Sequence, residues 1–250
     1  DPLLDVTFDG VHILNRDIVS AKPHIQVKLK DENTYLALND TAGVTIRLKF
    51  PGENNPRVYR WNTDTLRLTP PSSANDNTAT IDFFPTLNTD SEGTDYELTV
   101  TGKDRNDNVA GDKDYRVSFQ VFNKPMISNL LNYPNPFSTS TAFVFTITGA
   151  EVPQEFKIQV LTVTGKIVRE FTKAELGPLR IGTNITEFKW DGTDMFGQKL
   201  ANGVYLYRVV TSLDGKKMEQ FKLNDDYNQN AQDATDQYFK KGYGKMVILR

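Results

Sequence analysis

The chain has 250 residues, 38% of them apolar, which is enough for one large core or two of ordinary size and excludes disorder over its whole length. Its net charge of -3 arises from interspersed acidic and basic residues, and no stretch gathers Lys and Arg as a nucleic-acid face requires. The absence of cysteine removes disulfides, thiolate zinc sites and cysteine nucleophiles together.

The start, DPLLDVTFDG, has neither the basic end nor the apolar centre of a signal peptide, and no apolar run approaches the roughly 20 residues that span a bilayer. Export of a parent protein would therefore make this chain a piece of it. From residue 24 onward period-two alternation dominates: HIQVKLK (24–30), VTIRLKF (44–50), TLRLT (65–69), ATIDFF (79–84), YELTV (96–100) and YRVSFQV (115–121). Apolar and polar residues fall on opposite faces of each extended segment, and turn clusters such as PGENNP and PPSSANDN separate them. Six or seven short strands of this kind predict a β-sandwich. In DRNDNVAGDKD (104–114), Asp104, Asn106 and Asn108 present oxygen atoms at every second residue, but the glycine and glutamate of a calcium loop are missing from their places. A solvated turn is the favoured reading there, with calcium as the alternative, and nothing else in the sequence asks for a cofactor.

At FNKPMISNLLNYPNPF, three prolines within twelve residues argue against a continuous ladder and place a domain boundary near residues 123–127, dividing the chain into domains 1–124 and 125–250. Strand signals then resume in TAFVFTI (141–147), EFKIQVLTV (155–163), KIVREF (166–171), TEFKW (186–190), GVYLYRVVT (203–211), KMEQFKL (217–223) and KMVIL (245–249). The turn VTGK carries Gly165 where a hairpin needs positive φ. In WDGTDMFG (190–197) a turn capped by its own side chains is favoured over a metal loop. LNDDYNQNAQDATDQYF (223–239) is polar and amide-rich and predicts a long inserted loop with at most one helical turn. The chain then closes on GYGKMVILR, written like a buried strand. Chain ends fray unless something ties them down, so this pattern suggests that the end is used.

The residues offer little chemistry. His12 and His24 are the only histidines, no GxSxG turn is present, and two histidines fall short of a catalytic zinc site. Carboxylates are scattered, and no glycine-rich loop opens a helix. The aromatics Tyr133, Phe137, Phe143, Phe145, Phe188, Trp190, Tyr205 and Tyr207 alternate with polar residues as a sandwich core would, with a sugar-binding platform as the lesser reading.

Three segments together are more specific: LNYPNPFSTST (131–141), WDGTDMFGQKLANGVYLYRV (190–209) and the terminal GKMVILR (244–250). This set resembles the C-terminal sorting domain of the type IX secretion system, an immunoglobulin-like fold also seen in the flagellar hook-capping protein. The first half, with DVTFDG and LTVTGKDRNDNVAG, resembles the immunoglobulin-like domain that precedes the sorting domain in large surface proteins carrying a gingipain-type, sortase-like cysteine peptidase domain. The resemblance implies two tandem immunoglobulin-like β-sandwiches, no catalysis in this chain, and a place at the surface of a gram-negative bacterium. It implies as partners the outer-membrane shuttle and translocon proteins, which would read Gly244, Lys245, Met246, Val247, Ile248, Leu249 and Arg250 by strand addition or by pocketing the terminal carboxylate. Two departures stand out: the insertion at 223–239 lengthens the domain, and Ile248 occupies an end that is usually leucine-rich. An adhesin or carbohydrate-binding module is the competing function class.

Overall fold

The computed structural model describes residues 3–31, 41, 43–73, 76–87, 93, 95–103, 114–220, 239–240 and 242–250. Asp104, Asn106 and Asn108 lie outside the described residues, as does nearly all of the 223–239 insertion. The chain divides into two units, Asp1–Asn123 and Lys124–Arg250.

In the first unit the strands are β1 (Leu3–Phe8), β2 (Asp17–Val19), β3 (Ile25–Lys30), β4 (Val44–Lys49), β5 (Arg57–Val58), β6 (Leu66–Thr69), β7 (Thr78–Phe83), β8 (Asp95–Gly102) and β9 (Tyr115–Val121). They form two sheets, ordered β1-β3-β7-β6 and β2-β9-β8-β4-β5, antiparallel throughout except where β2 runs parallel to β9. The alternation is read directly by burial: Ile25, Val27 and Leu29 of β3 and Val44, Ile46 and Leu48 of β4 point inward, while Lys28, Lys30 and Arg47 point outward. On the inner face of one sheet Tyr96 stacks on its cross-strand partner Phe119 with ring centroids 5.5 Å apart, and Phe8 of the other sheet meets Phe119 edge-on. Removing one such aromatic side chain costs about 3–5 kcal/mol.

The second unit contains β10 (Met126–Tyr133), β11 (Ala142–Ile147), β12 (Glu155–Thr162), β13 (Ile167–Thr172), one helical turn α1 (Lys173–Leu176), β14 (Gly182–Ile185), β15 (Gly203–Ser212), β16 (Glu219–Gln220), β17 (Phe239–Lys240) and β18 (Tyr243–Ile248). Its sheets run β14-β11-β10-β16 and β13-β12-β15-β18-β17. Phe143, Phe145, Phe156, Phe171, Trp190 and Tyr207 fill the space between them. Phe145 stacks on Phe156 at 4.7 Å, and Phe143 meets Tyr207 edge-on at 5.5 Å. The fold is thus all-β, with each unit built as a β-sandwich.

Several local expectations are revised. The prolines of the boundary segment do not interrupt a ladder; Pro125 and Pro134 bracket β10, which is eight residues long and lies inside its sheet between β11 and β16. TEFKW is not a strand: the ladder falls one segment earlier, in β14, and Trp190 keeps only a bridge to Thr141. In the VTGK turn, Gly165 has φ +88° and its N–H donates to the Thr162 carbonyl at 2.9 Å, as a hairpin turn requires.

Candidate functional site

The three motif segments, widely separated in sequence, meet around β18. On one edge β18 pairs antiparallel with β15, from Gly203 opposite Ile248 to Tyr207 opposite Gly244. On the other edge β17 covers only its start, with Lys240 opposite Tyr243 and Phe239 opposite Gly244. The rest of that edge is taken by the YPNPF segment, which contains two cis peptide bonds, Tyr133-Pro134 and Asn135-Pro136. The Asn135 side chain acts as a substitute strand residue: its Nδ2 donates to the Lys245 carbonyl at 2.9 Å and its Oδ1 accepts from the Val247 N–H at 3.0 Å. The main chain takes over two residues later, where Phe137 N–H donates to the Val247 carbonyl (3.1 Å) and Leu249 N–H to the Phe137 carbonyl (2.9 Å). A backbone group left unpaired at such a place costs free energy, and here the amide of Asn135 and the backbone of Phe137 fill the role of a neighbouring strand. The edge at Lys245, Val247 and Leu249 is therefore occupied, and strand addition there would have to displace Asn135 and Phe137.

Beyond β18 the chain is held by the WDG loop, residues 190–203. Asn202 clamps Arg250 by its backbone, Nδ2 donating to the carbonyl at 3.0 Å and Oδ1 accepting from the N–H at 2.9 Å. The Arg250 guanidinium donates to three loop carbonyls: Nη1 to Leu200 at 2.8 Å, and Nη2 to Asp191 at 2.5 Å and Gly192 at 3.3 Å. Five donors in a planar fork suit a ring of carbonyls, which a lysine could not satisfy in this way. Gly192 has φ +75°, so the backbone demands glycine, and a Cβ there would stand 2.5 Å from Arg250 Nη2 and push the guanidinium aside.

The loop is shaped by its own carboxylates. Asp191 Oδ1 accepts from Thr193 N–H (3.2 Å) and Thr193 Oγ1 (2.8 Å), and Asp194 Oδ1 accepts from the N–H groups of Phe196 and Gln198, both at 2.9 Å. Trp190 Nε1 donates to the Thr193 carbonyl at 2.9 Å. These are the capping contacts of a turn.

Of the seven residues expected to meet a partner, Gly244, Met246 and Ile248 are buried, Val247 is half-buried, and Lys245, Leu249 and Arg250 are exposed. Gly244 lies in β18 under the Tyr207 ring, where a Cβ would come within 2.0 Å of Tyr207 Cζ. Burial of Tyr207 pushes its phenol well above the ordinary tyrosine range, opposed in part by the backbone of Asn132. On the outer face of the same sheet, Arg208 Nε donates to Gln159 Oε1 (2.8 Å) and Arg208 Nη1 to the Tyr243 hydroxyl (3.0 Å). Gln159 Nε2 and Lys157 Nζ both donate to Glu170, at 2.6 and 3.1 Å, and hold its carboxyl below the usual range.

The aromatics form core, as their alternation implied. Phe137, Phe143, Phe145, Trp190, Tyr205 and Tyr207 are buried, Phe188 is packed on Phe171, and Tyr133 alone of the set stands out in solvent. The histidines face carboxylates: His12 Nε2 lies 2.6 Å from Asp5, and His24 Nε2 lies 2.7 Å from Asp82 with its ring stacked on Phe84. Neither histidine is bonded to a serine hydroxyl among the described residues. The roles of Asn135 and Asn202 as clamps went unread in the sequence, where Asn-Pro and Asn-Gly read as turn dipeptides and no local pattern points to a partner so far along the chain.

No family model matches the chain, and none of the curated proteins matches it. Among solved structures, dimeric latent PorU from Porphyromonas gingivalis aligns over 99% of this chain and 20% of its own, with 20% identity and a TM-score of 0.37. BcpA, the major pilin subunit of Bacillus cereus, aligns over 100% of this chain and 67% of its own, with 10% identity and a TM-score of 0.29. The FN1-FN3 domains of chicken CNTN1 align over 96% and 70%, with 8% identity and a TM-score of 0.25. The present chain spans only 20% of the length of the PorU chain. No helix among the described residues is long and apolar enough to cross a membrane.

Proposed function

We propose that this chain is a non-catalytic part of a larger exported protein, in which the first unit is a spacer and the second is a type IX sorting domain recognised at the outer membrane of a gram-negative cell. The observation that supports this reading is convergence: Asn135 and Phe137 of one motif, and Asp191, Gly192, Leu200 and Asn202 of another, all bond the third, residues 244–250. Motifs that merely stabilised separate turns would have no reason to meet. In this reading Gly244, Met246 and Ile248 hold the strand, and Lys245, Val247, Leu249 and the fixed Arg250 form the face that a shuttle protein reads.

Capture of the outer-membrane shuttle on the immobilised chain tests the reading. A Lys245→Glu, Val247→Ser, Leu249→Ser variant keeps the inward residues and is expected to lose most of the shuttle. Equal recovery by wild type and variant would sink the assignment. The adhesin or carbohydrate reading draws on one feature, Phe84 of the first unit, 43% exposed and stacked on His24 at 4.6 Å. Glycan-array binding that disappears in Phe84→Ala would favour it instead.

A further inference from the structure

Two asparagines hold the end of β18, one on each edge. Phe137 N–H donates to the Val247 carbonyl and Leu249 N–H to the Phe137 carbonyl, so residues 247 and 249 turn their backbone groups toward the YPNPF segment. By the alternation of an antiparallel strand, residues 248 and 250 turn theirs toward β15. Ile248 meets Gly203 there, at the first residue of β15, and Arg250 lies past the end of that pairing. The Asn202 amide supplies the missing partner: its Nδ2 donates to the Arg250 carbonyl at 3.0 Å, and its Oδ1 accepts from the Arg250 N–H at 2.9 Å. Asn135 does the same on the opposite edge, against Lys245 and Val247.

The two clamps differ in the residue that follows. Asn135 precedes Pro136, whose nitrogen carries no hydrogen, while Asn202 alone among the chain's asparagines precedes glycine. The amide carbon of an asparagine is open to attack by the next backbone nitrogen, and glycine, with no Cβ and a freely turning backbone, hinders that attack least. Asn202 is exposed, and a Cβ at Gly203 would meet nothing within 4 Å, so water reaches the place. What restrains the reaction is the strand beside it. Both polar atoms of the Asn202 amide are held on Arg250, and the Gly203 N–H is turned to its ladder partner Ile248.

We propose that Asn202 is a deamidation site guarded by β18, and that its reaction makes a passing release of the strand's end permanent. When residues 248–250 leave β15, the Gly203 nitrogen gives its proton to hydroxide and attacks Asn202 Cγ. The new C–N bond closes a succinimide ring, the Cγ–Nδ2 bond breaks, and Nδ2 takes a proton from water and departs as ammonia. Water then adds to either ring carbonyl and opens it to aspartate or isoaspartate. The sum is a hydrolysis in which water is consumed, ammonia is released and nothing is oxidised. Either product lacks the Nδ2 donor, so a carboxylate oxygen faces the Arg250 carbonyl, and isoaspartate also lengthens the backbone ahead of Gly203. The clamp cannot then re-form as it was. The inference is independent of the export reading, because the reaction needs no partner.

Ageing of the full chain in mildly alkaline buffer, followed by tryptic mapping, tests it, because residues 200–208 (LANGVYLYR) form one tryptic peptide with a single amide side chain. Mass reads the exchange of NH2 for OH, and isoaspartyl methyltransferase labels the isoaspartate. The synthetic peptide LANGVYLYR should react fastest and wild type slowest. The chain without Arg250 should lie between them, about tenfold faster than wild type, the factor expected for two lost hydrogen bonds. Arg250→Ala, which keeps the backbone clamp but gives up the guanidinium contacts to Asp191, Gly192 and Leu200, should also be faster than wild type. The emission of buried Trp190 reports that both variants keep their fold. Asn202→Asp, equivalent to one product, should let carboxypeptidase B remove Arg250 about tenfold faster. The proposal is overturned if wild type ages as fast as the folded chain without Arg250, if Asn202 stays intact in that chain while the free peptide reacts, or if Asn202→Asp is trimmed like wild type.

Discussion

β1 and β18 are both short alternating strands near the ends of the described chain, yet they are secured in different ways. Among the described residues β1 pairs with β3 along one edge only, and Leu3 at its start is 62% exposed. β18 has β15 on one edge, β17 and the YPNPF segment on the other, and a guanidinium locked to the WDG loop just beyond it. The contrast shows that a ladder alone makes a strand, while side chains that imitate a ladder make it difficult to peel away. Because the two tryptophans fall one in each unit, Trp61→Phe leaves Trp190 as a reporter of the second unit, and Trp190→Phe leaves Trp61 for the first.

The largest effect is expected from Gly244→Ala. The new Cβ would meet the Tyr207 ring at 2.0 Å, and overpacking of this kind should destabilise the second unit by about 3 kcal/mol in urea, with the first unit's transition unmoved. An unchanged second transition would mean that β18 is not seated under Tyr207. Asn135→Ala should cost about 1–2 kcal/mol, since it strips two bonds from a partly buried strand; Leu3→Ser in β1 should stay within about 0.5 kcal/mol. Equal costs for the two would erase the contrast between the strands.

The comparison extends to pH. Burial raises the phenols of Tyr207 in the second unit and of Tyr59 and Tyr115 in the first, and Tyr207 is the most deeply buried of the three. A tyrosine whose folded form resists ionisation contributes stability in full below its unfolded value near 10, and that contribution is lost as pH rises above it. The second unit should therefore lose stability more steeply above pH 10, and Tyr207→Phe should flatten its alkaline limb. The smallest effect concerns Glu170, lowered by Gln159 and then Lys157. Its contribution is present above the ordinary value near 4.5 and is lost as pH falls, so Glu170→Gln should cost about 0.5 kcal/mol at neutral pH and less in acid. A variant that loses as much stability at pH 3 as at pH 7 would contradict this.

Particular segments show what was legible. IQVKLK, VTIRLK and GVYLYRVV became strands with the inward and outward faces their alternation implied, because burial on one side of a pleat writes a period of two into the sequence. ISNLLNY was obscured by its flanking prolines, and TEFKW imitated a strand although only its ends, Thr186 and Trp190, bond the neighbouring chain, at Phe143 and Thr141. The motif residues of the candidate site could be named in advance, but which of them touch could not.

The sequence by itself determined the all-β class, the inward faces of most strands and the segments worth comparing, since these depend on local alternation and turn chemistry. Only the tertiary structure decided that Asn135 stands in for a strand, that Gly244 makes room for Tyr207 and that Arg250 closes on the WDG loop. Those outcomes pair residues 37 to 112 positions apart, and no local pattern carries the register that brings them together.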